Sequence, residues 1–304
     1  MPTPSHNTDH LGKSVACALG AAVLLSGMNV ISKIMVEYLD PVEIAFWRNL
    51  LALVILLPVI MAVKRWDLLK TKRWKGQFFR AIIGTIGMVL AVWMFSLLSL
   101  AEGVAISFTA PLFVVLLSRP ILKETVGLPR MTAAFIGFLG VLVIAQPWGN
   151  LTLNMLGVAV GLGFAMMNAS VMLCLRWLGD TEHAVTTVFY FLFLGLIGTG
   201  VAMPFIATPI PLGDWWMIGV LGLVGLVSLI LKTESYRWGK AALVAPLSYS
   251  LLLWAILSDW LIWDVVPGWN VMIGAFIIIG SNAFILWREH RYKRRISNTG
   301  SGLN

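Results

Sequence analysis

The sequence predicts an all-α membrane protein, with ten transmembrane helices arranged as two inverted five-helix repeats. Three observations carry that expectation. The chain is apolar almost throughout: 59% of its 304 residues are hydrophobic and only 12% are charged, against about a quarter charged in a soluble domain. Ten long apolar stretches divide it, each approaching or reaching the ~20 residues that a helix needs to cross ~30 Å of hydrocarbon. Its Lys and Arg residues gather in every second connection between those stretches and at both termini.

The elements follow in order, and their flanks set the orientation. Stretch 14–36 follows Lys13 and ends at Glu37. Stretch 42–63 begins after Asp40 and ends on Lys64 and Arg65. Stretch 77–99 follows a run containing Lys70, Lys72, Arg73 and Lys75, and Arg80, counted with those bases, falls at its start. Stretch 103–122 begins after Glu102 and ends on Lys123, with Arg119 near its end. Stretch 130–146 starts at Arg130 and runs out into neutral residues. Stretch 153–178 leaves that neutral loop and carries Arg176 at its far end. Stretch 184–205 ends in a loop without bases. Stretch 215–236 follows Asp214 and closes on Lys232, Arg237 and Lys240. Stretch 241–262 ends before Asp264. Stretch 268–288 ends on Arg288, Arg291, Lys293, Arg294 and Arg295. Lys and Arg stay cytoplasmic because moving them across is costly, whereas acids contribute little to the bias. Both termini are therefore expected in the cytoplasm and the span count is even. Lys33 and Arg48 alone fall on the other side.

The expected organisation is a cytoplasmic tail over 1–12, a first repeat over 13–147, a second over 153–288 and a basic cytoplasmic tail over 289–304. Almost nothing remains for a soluble domain. The net charge of +8 belongs to loops beside anionic lipid, so no nucleic-acid partner is expected. The first stretch is longer than the apolar core of a signal peptide and lacks a small-x-small exit, so it is expected to remain as a helix. Cys17 and Cys174 lie inside apolar stretches and read as packing residues, without a zinc signature. Asn150-Leu151-Thr152 is a glycosylation sequon that matters only in a secretory host.

The halves repeat weakly. Met28-Asn29 matches Met167-Asn168 at an offset of 139, which also pairs Leu39 with Leu178 and Glu43 with Glu182. Ala110-Pro111-Leu112 matches Ala245-Pro246-Leu247 at an offset of 135, and Gly137 corresponds to Gly274. With five spans per half, the second half must be inverted. Inverted repeats with a site near the midplane are a transporter architecture.

These residues also resemble a known family. The run Leu100-Ala101-Glu102, Ile106-Ser107-Phe108-Thr109-Ala110-Pro111-Leu112-Phe113, Leu122-Lys123-Glu124 and Gly137-Phe138-Leu139-Gly140-Val141 is similar to the first repeat of the EamA transporters of the drug/metabolite transporter superfamily. Phe46-Trp47-Arg48-Asn49 resembles that group's aromatic-aromatic-Arg in the second helix, and Ser235-Tyr236-Arg237 with Ala241-Ala242-Leu243-Val244-Ala245-Pro246-Leu247 its second-repeat motif. Three positions depart from the pattern: Trp263-Asp264 in place of Gly-Glu, Lys240 in place of Pro, and Glu234 in place of a small apolar residue. The resemblance implies a bacterial inner-membrane carrier of a small organic metabolite such as an amino acid, a nucleotide-like compound, a vitamin or a drug. It implies no cofactor. The partners expected are the solute, membrane lipid and a coupling proton, with the chain a monomer or homodimer. A lipid flippase is the alternative on the same fold.

Candidate site residues come from polar groups at depth. Arg48 lies about six residues into the second stretch, about 9 Å deep. A guanidinium there faces a wet cavity, an acid or an anionic ligand; its planar fork suits a carboxylate or phosphate. An ion pair with Glu37, Glu43 or Glu102, or snorkelling outward, is the alternative. Ser26, Asn29, Lys33 and Glu37 follow helical steps and form one stripe, in which Lys33 pairs with Glu37 or meets the solute. Asn29 and Asn168 sit near the midplane of opposed halves and are expected to bond between helices or to contact the solute. Glu102 opens a helix where a carboxylate is favoured, or takes part in proton coupling. Trp47 and Tyr249 could wall a pocket for a planar substrate. Pro111 and Pro246 each remove a backbone bond within a stretch and read as hinges or cavity lining. Gly157 and Gly161 form a GxxxG, hence a close helix contact. Catalytic and metal-site signatures are absent from the sequence, so no enzyme activity is expected.

Overall fold

The computed structural model describes residues 9–62, 64, 66–122, 128–145, 154–178, 182, 184–238 and 247–300. Among these the ordered secondary structure is helical. The helices are α1 (Asp9–Met35), α2 (Pro41–Ala62), α3 (Trp74–Leu97), α4 (Leu100–Ser107), α5 (Ala110–Leu122), α6 (Leu128–Ala145), α7 (Met155–Leu178), α8 (Ala184–Gly200), the short α9 (Met203–Ile206), α10 (Trp215–Trp238), α11 (Ser250–Trp263) and α12 (Trp269–Gly300). Among the described residues, six stretches are long and apolar enough to cross a membrane: Gly12–Met35, Pro41–Ala62, Trp74–Leu97, Leu100–Leu117, Met155–Leu175 and Leu212–Lys232. Met131–Ala145, Val185–Gly200, Ser250–Trp263 and Trp269–Ile285 are shorter apolar helices.

The chemistry of the helix surfaces fits a hydrocarbon solvent. Phe135, Leu253 and Phe276 stand 67%, 68% and 80% exposed, a degree of apolar exposure that would drive association in water. Hydroxyls on the spans fold back onto their own helix. Ser32 donates to the Met28 carbonyl at 2.9 Å, Thr199 to Gly195 at 2.8 Å and Ser258 to Trp254 at 2.8 Å. Such bonds satisfy the donor where no water is present.

Packing pairs distant parts of the chain. α1 lies along α10, α3 along α7, α6 along α12, α2 along α8 and α4 along α11; α3 also meets α8, α2 meets α10, α1 meets α11 and α5 meets α7. Glycine sets the closest approaches. A Cβ on Gly157 would stand 2.7 Å from Leu98 Cγ, and one on Gly161 would stand 3.0 Å from Ile106 and Met94. The GxxxG is thus a close contact of α7 with the α3–α4 region. Gly140 and Gly274 bring α6 and α12 together backbone to backbone: a Cβ on Gly140 would meet the Gly274 carbonyl at 2.8 Å.

Three features depart from the sequence expectation. The fourth stretch is broken at Phe108-Thr109, and Pro111 lies in the first turn of α5, after the break. Its missing N–H is there one of the unpaired donors that any helix start leaves. A similar two-residue turn at Ser248-Tyr249 precedes α11. The two breaks are 140 positions apart, so they follow a different register from the 135 that pairs Pro111 with Pro246. Pro246 itself lies outside the described residues, as do the sequon, Lys123, Glu124 and Lys240. Lastly, helix extends beyond both expected span limits, starting at Asp9 and continuing to Gly300 through the basic segment.

Candidate functional site

The first turns of α2 are held by a buried carboxylate. Glu43, 1% exposed, accepts from the Thr208 amide at 3.2 Å and from the Trp47 indole at 3.5 Å. Trp47 packs edge-on against Trp215 at the start of α10, with ring centroids 5.2 Å apart. Glu43 and Trp47 therefore join α2 to the segment between α8 and α10, and Trp47 is a packing residue of that junction.

One turn further in, Arg48 points toward α10 and α1. Its Nε stands 3.8 Å from where a Cβ on Gly225 would be, and Met28 Sδ lies 3.4 Å from the same point. Gly225 leaves the space that the guanidinium flanks. Arg48 is half-buried and makes no ion pair or hydrogen bond among the described residues. Asn29, next in the chain to Met28, and Asn168 on α7 are likewise half-buried and without hydrogen bonds among the described residues. Arg48, Asn29 and Asn168 are thus polar side chains on apolar helices without protein partners among the described residues.

Glu102 is occupied elsewhere. Its carboxylate accepts from the Ser99 amide at 3.0 Å, while the Ser99 hydroxyl accepts from the Glu102 amide at 3.3 Å, a reciprocal cap on α4. The helix-start reading of Glu102 accounts for this geometry, and no ion pair joins it to Arg48 among the described residues.

Lys33 turns away from Glu37. Its ammonium donates to the Leu98 carbonyl at 2.8 Å, stands 3.8 Å from Asp259 Oδ1 and lies 5.0 Å over the Trp263 ring. Asp259, 1% exposed, is the residue that sequence reading missed. Its two oxygens accept from the Leu100 and Ala101 amides at 3.0 and 2.7 Å, satisfying donors that the start of α4 leaves open. The cluster ties α1, α4 and α11 at one end of the bundle. Its signal in the sequence was a single acid inside stretch 241–262; intramembrane acids are rare enough to mark structure or function.

At the two helix breaks, Phe108 and Tyr249 meet edge to face, centroids 5.0 Å apart. Asn282 of α12 donates to the Phe108 carbonyl at 2.8 Å, pairing a backbone group that the break exposes. Tyr249 thus stands where both interrupted helices converge. Arg48 and Lys33 are directed to different neighbours, α10 and α11, so the expected site residues form separate groups around the bundle.

Comparisons with known proteins agree with this architecture. Residues 12–146 match the EamA-like transporter family. The chain is 27% identical over 262 residues to a riboflavin transporter of Vibrio cholerae serotype O1, covering 86% of this chain and 87% of that protein. It is 26% identical to the pseudopaline exporter CntI of Pseudomonas aeruginosa, covering 89% and 95%, and 25% identical to an S-adenosylmethionine uptake transporter of Rickettsia conorii, covering 89% and 91%. A solved crystal structure superposes with a TM-score of 0.61 over 91% of this chain and 98% of its own, at 15% identity, which establishes a shared fold. With its several apolar helices, the chain is a multi-pass membrane protein, and residues 12–146 are similar to the EamA-like transporter family.

Proposed function

We propose that the protein is a secondary transporter that moves a small organic metabolite bearing an anionic group across the cytoplasmic membrane, by alternating access of two five-helix halves. The observation that carries the substrate class is Arg48. It is a half-buried guanidinium within α2, directed at α1 and α10, with no protein anion beside it among the described residues. A carboxylate or phosphate on the solute supplies the missing charge, and the planar fork orients it.

The helix contacts support two inverted halves, 13–147 and 153–288, in a ten-span bundle with both termini cytoplasmic. Exchanging the halves turns the α1–α10 pair into α7–α3, the α2–α10 pair into α8–α3, and the α1–α11 pair into α7–α5. The α2–α8 and α6–α12 pairs map onto themselves. A pseudo-two-fold relation of this kind is what alternating access uses.

Uptake into liposomes containing the purified protein tests the reading, with riboflavin, S-adenosylmethionine, amino acids and nucleosides as the panel. Saturable, exchange-stimulated flux is expected without ATP for the carboxylate-bearing members, S-adenosylmethionine or an amino acid, in preference to riboflavin and nucleosides, which carry neither carboxylate nor phosphate. Arg48→Lys should weaken flux while leaving the melting temperature near wild type. Full flux by a stable Arg48→Ala protein would sink the assignment.

A lipid flippase is the second reading. It draws on an apolar cavity of ≈680 Å³ lined by Leu19, Leu253, Trp254, Leu257 and Trp260, on α1 and α11. Transbilayer movement of a fluorescent phospholipid in the same liposomes, exceeding solute flux, would favour it.

A further inference from the structure

The junction of α2, α3 and α8 holds a second set of polar groups that the function above does not use. Of nine buried polar side-chain atoms without a hydrogen-bond partner among the described residues, six belong to Asn49, Gln77, Arg80 and Thr85. Asn49 and Thr85 converge on Gly195, whose Cβ would stand 2.8 Å from both Asn49 Nδ2 and Thr85 Oγ1. Toward the start of α3, Gln77 donates to the Thr187 hydroxyl at 3.3 Å and leaves its Oε1 unpaired. Arg80 lies between. It is 8% exposed, its Nε and Nη1 have no acceptor, and its guanidinium stands 4.3 Å from the Phe191 ring centroid. No acid forms an ion pair with it among the described residues.

Sequence reading counted Arg80 among the loop bases. Instead it is the seventh residue of α3, as Arg48 is the eighth of α2. The two helices are consecutive and run in opposite directions, so the two guanidiniums sit near opposite ends of the bundle. They also occupy junctions, α2–α10 and α3–α8, that exchange when the halves are swapped. An aromatic face offsets part of a buried positive charge but accepts no in-plane hydrogen bond. Water could accept from the unpaired N–H groups, yet it would leave the charge uncompensated in a medium that screens poorly. An oxyanion does both.

We propose that Arg80 is an anion-binding site at the end of the bundle opposite Arg48, taking the carboxylate or phosphate group of a small solute, while the unpaired Gln77 Oε1 beside it is an acceptor for an N–H or O–H of that solute. It deepens the transport reading, on which its solute class rests: the anionic group has one guanidinium station near each side. A phospholipid headgroup presents the same chemistry and is the other source of the anion.

Cys174 provides a reporter. It is half-buried on α7, the helix that packs along α3 where Arg80 stands. In the full-length Cys17→Ser protein, the rate of Cys174 alkylation by N-ethylmaleimide is followed by intact mass, in lipid-free detergent, in sodium chloride, phosphate or acetate at equal ionic strength. Phosphate or acetate should slow labelling by about tenfold once it reaches ten times its dissociation constant. Arg80→Gln should abolish the protection, and Arg80→Lys, which keeps the charge without the fork, should weaken it. Arg48→Gln should leave it intact. Protection seen only after transfer to phospholipid nanodiscs, and still dependent on Arg80, assigns the anion to a headgroup. Labelling that neither soluble anions nor phospholipid slow overturns the site from the wild-type protein alone, even if the variants do not fold. Protection that survives Arg80→Gln overturns it too. Protection lost with Arg48→Gln alone places the anion at Arg48, so the Arg80 site fails while the transport reading stands.

Discussion

Asp259 accepts from two amides and faces one ammonium, so deleting it and deleting Lys33 have unequal consequences. Asp259→Ala strips the start of α4 of both acceptors and leaves Lys33 with the Leu98 carbonyl and the Trp263 face. It should cost about 3–5 kcal/mol, the range for breaking a buried ion pair from one side. Lys33→Met keeps both amide bonds and should cost less, about 1–2 kcal/mol. Thermal unfolding in detergent measures both; equal losses would mean that the amide bonds contribute little. Arg48 and Glu102 should behave independently, because Glu102 is closed within its own helix start. The stability losses of Arg48→Ala and Glu102→Ala should add to within about 0.5 kcal/mol in the double variant. That Arg48 is unusual was legible in the sequence from its depth and side. The partner of Lys33 was not, because α1 and α11 meet only in the fold.

Helices in hydrocarbon gain little from apolar burial, so backbone approach decides which of them pair. Gly140 and Gly274 make the α6–α12 contact possible, and a backbone carbonyl cannot move aside as a side-chain tip can. Gly140→Ala should therefore destabilise the protein by about 1–3 kcal/mol. Gly219 on α10 has no atom within 4 Å of its would-be Cβ. There Ala should be neutral or stabilise by about 0.5–1 kcal/mol, since it removes only backbone freedom. Denaturation of the two variants side by side checks the contrast, and equal effects would refute it. The ten apolar stretches each coincide with helix among the described residues, because length and apolarity alone call for it. The break at Phe108-Thr109 was displaced in the reading by Pro111, which lies just beyond it. A proline signals that a helix changes nearby, while the exact residue depends on what can pair the freed carbonyl, here Asn282.

For the whole molecule, the sorting of Lys and Arg leads to a topology test. Reporter fusions near residues 70, 126, 180 and 296 should report cytoplasm, and those near 40, 150 and 210 the opposite side. An external C-terminus would invalidate the ten-span reading. Flux in sealed vesicles should proceed without ATP, because the sequence holds no phosphate-cradling Gly loop with a Lys. The depth of Arg80 was hidden from the sequence. It follows a basic run and looks like one more loop charge, until α3 is seen to begin at Trp74 and Phe191 to cover it.

Composition and charge sorting set the class of molecule: a chain this apolar, with its bases in alternate connections, has only the bilayer as a solvent that suits it. They also marked Arg48, since a cation on the disfavoured side of an apolar stretch is costly wherever its partners are. Tertiary structure decided which polar groups are used up and which remain open. Lys33, Glu43, Glu102 and Asp259 close on amides, carbonyls and rings brought from other helices or from their own first turn. Arg48, Arg80 and the midplane amides do not. That division depends on distances between residues far apart in the chain, and no local pattern in a sequence records them.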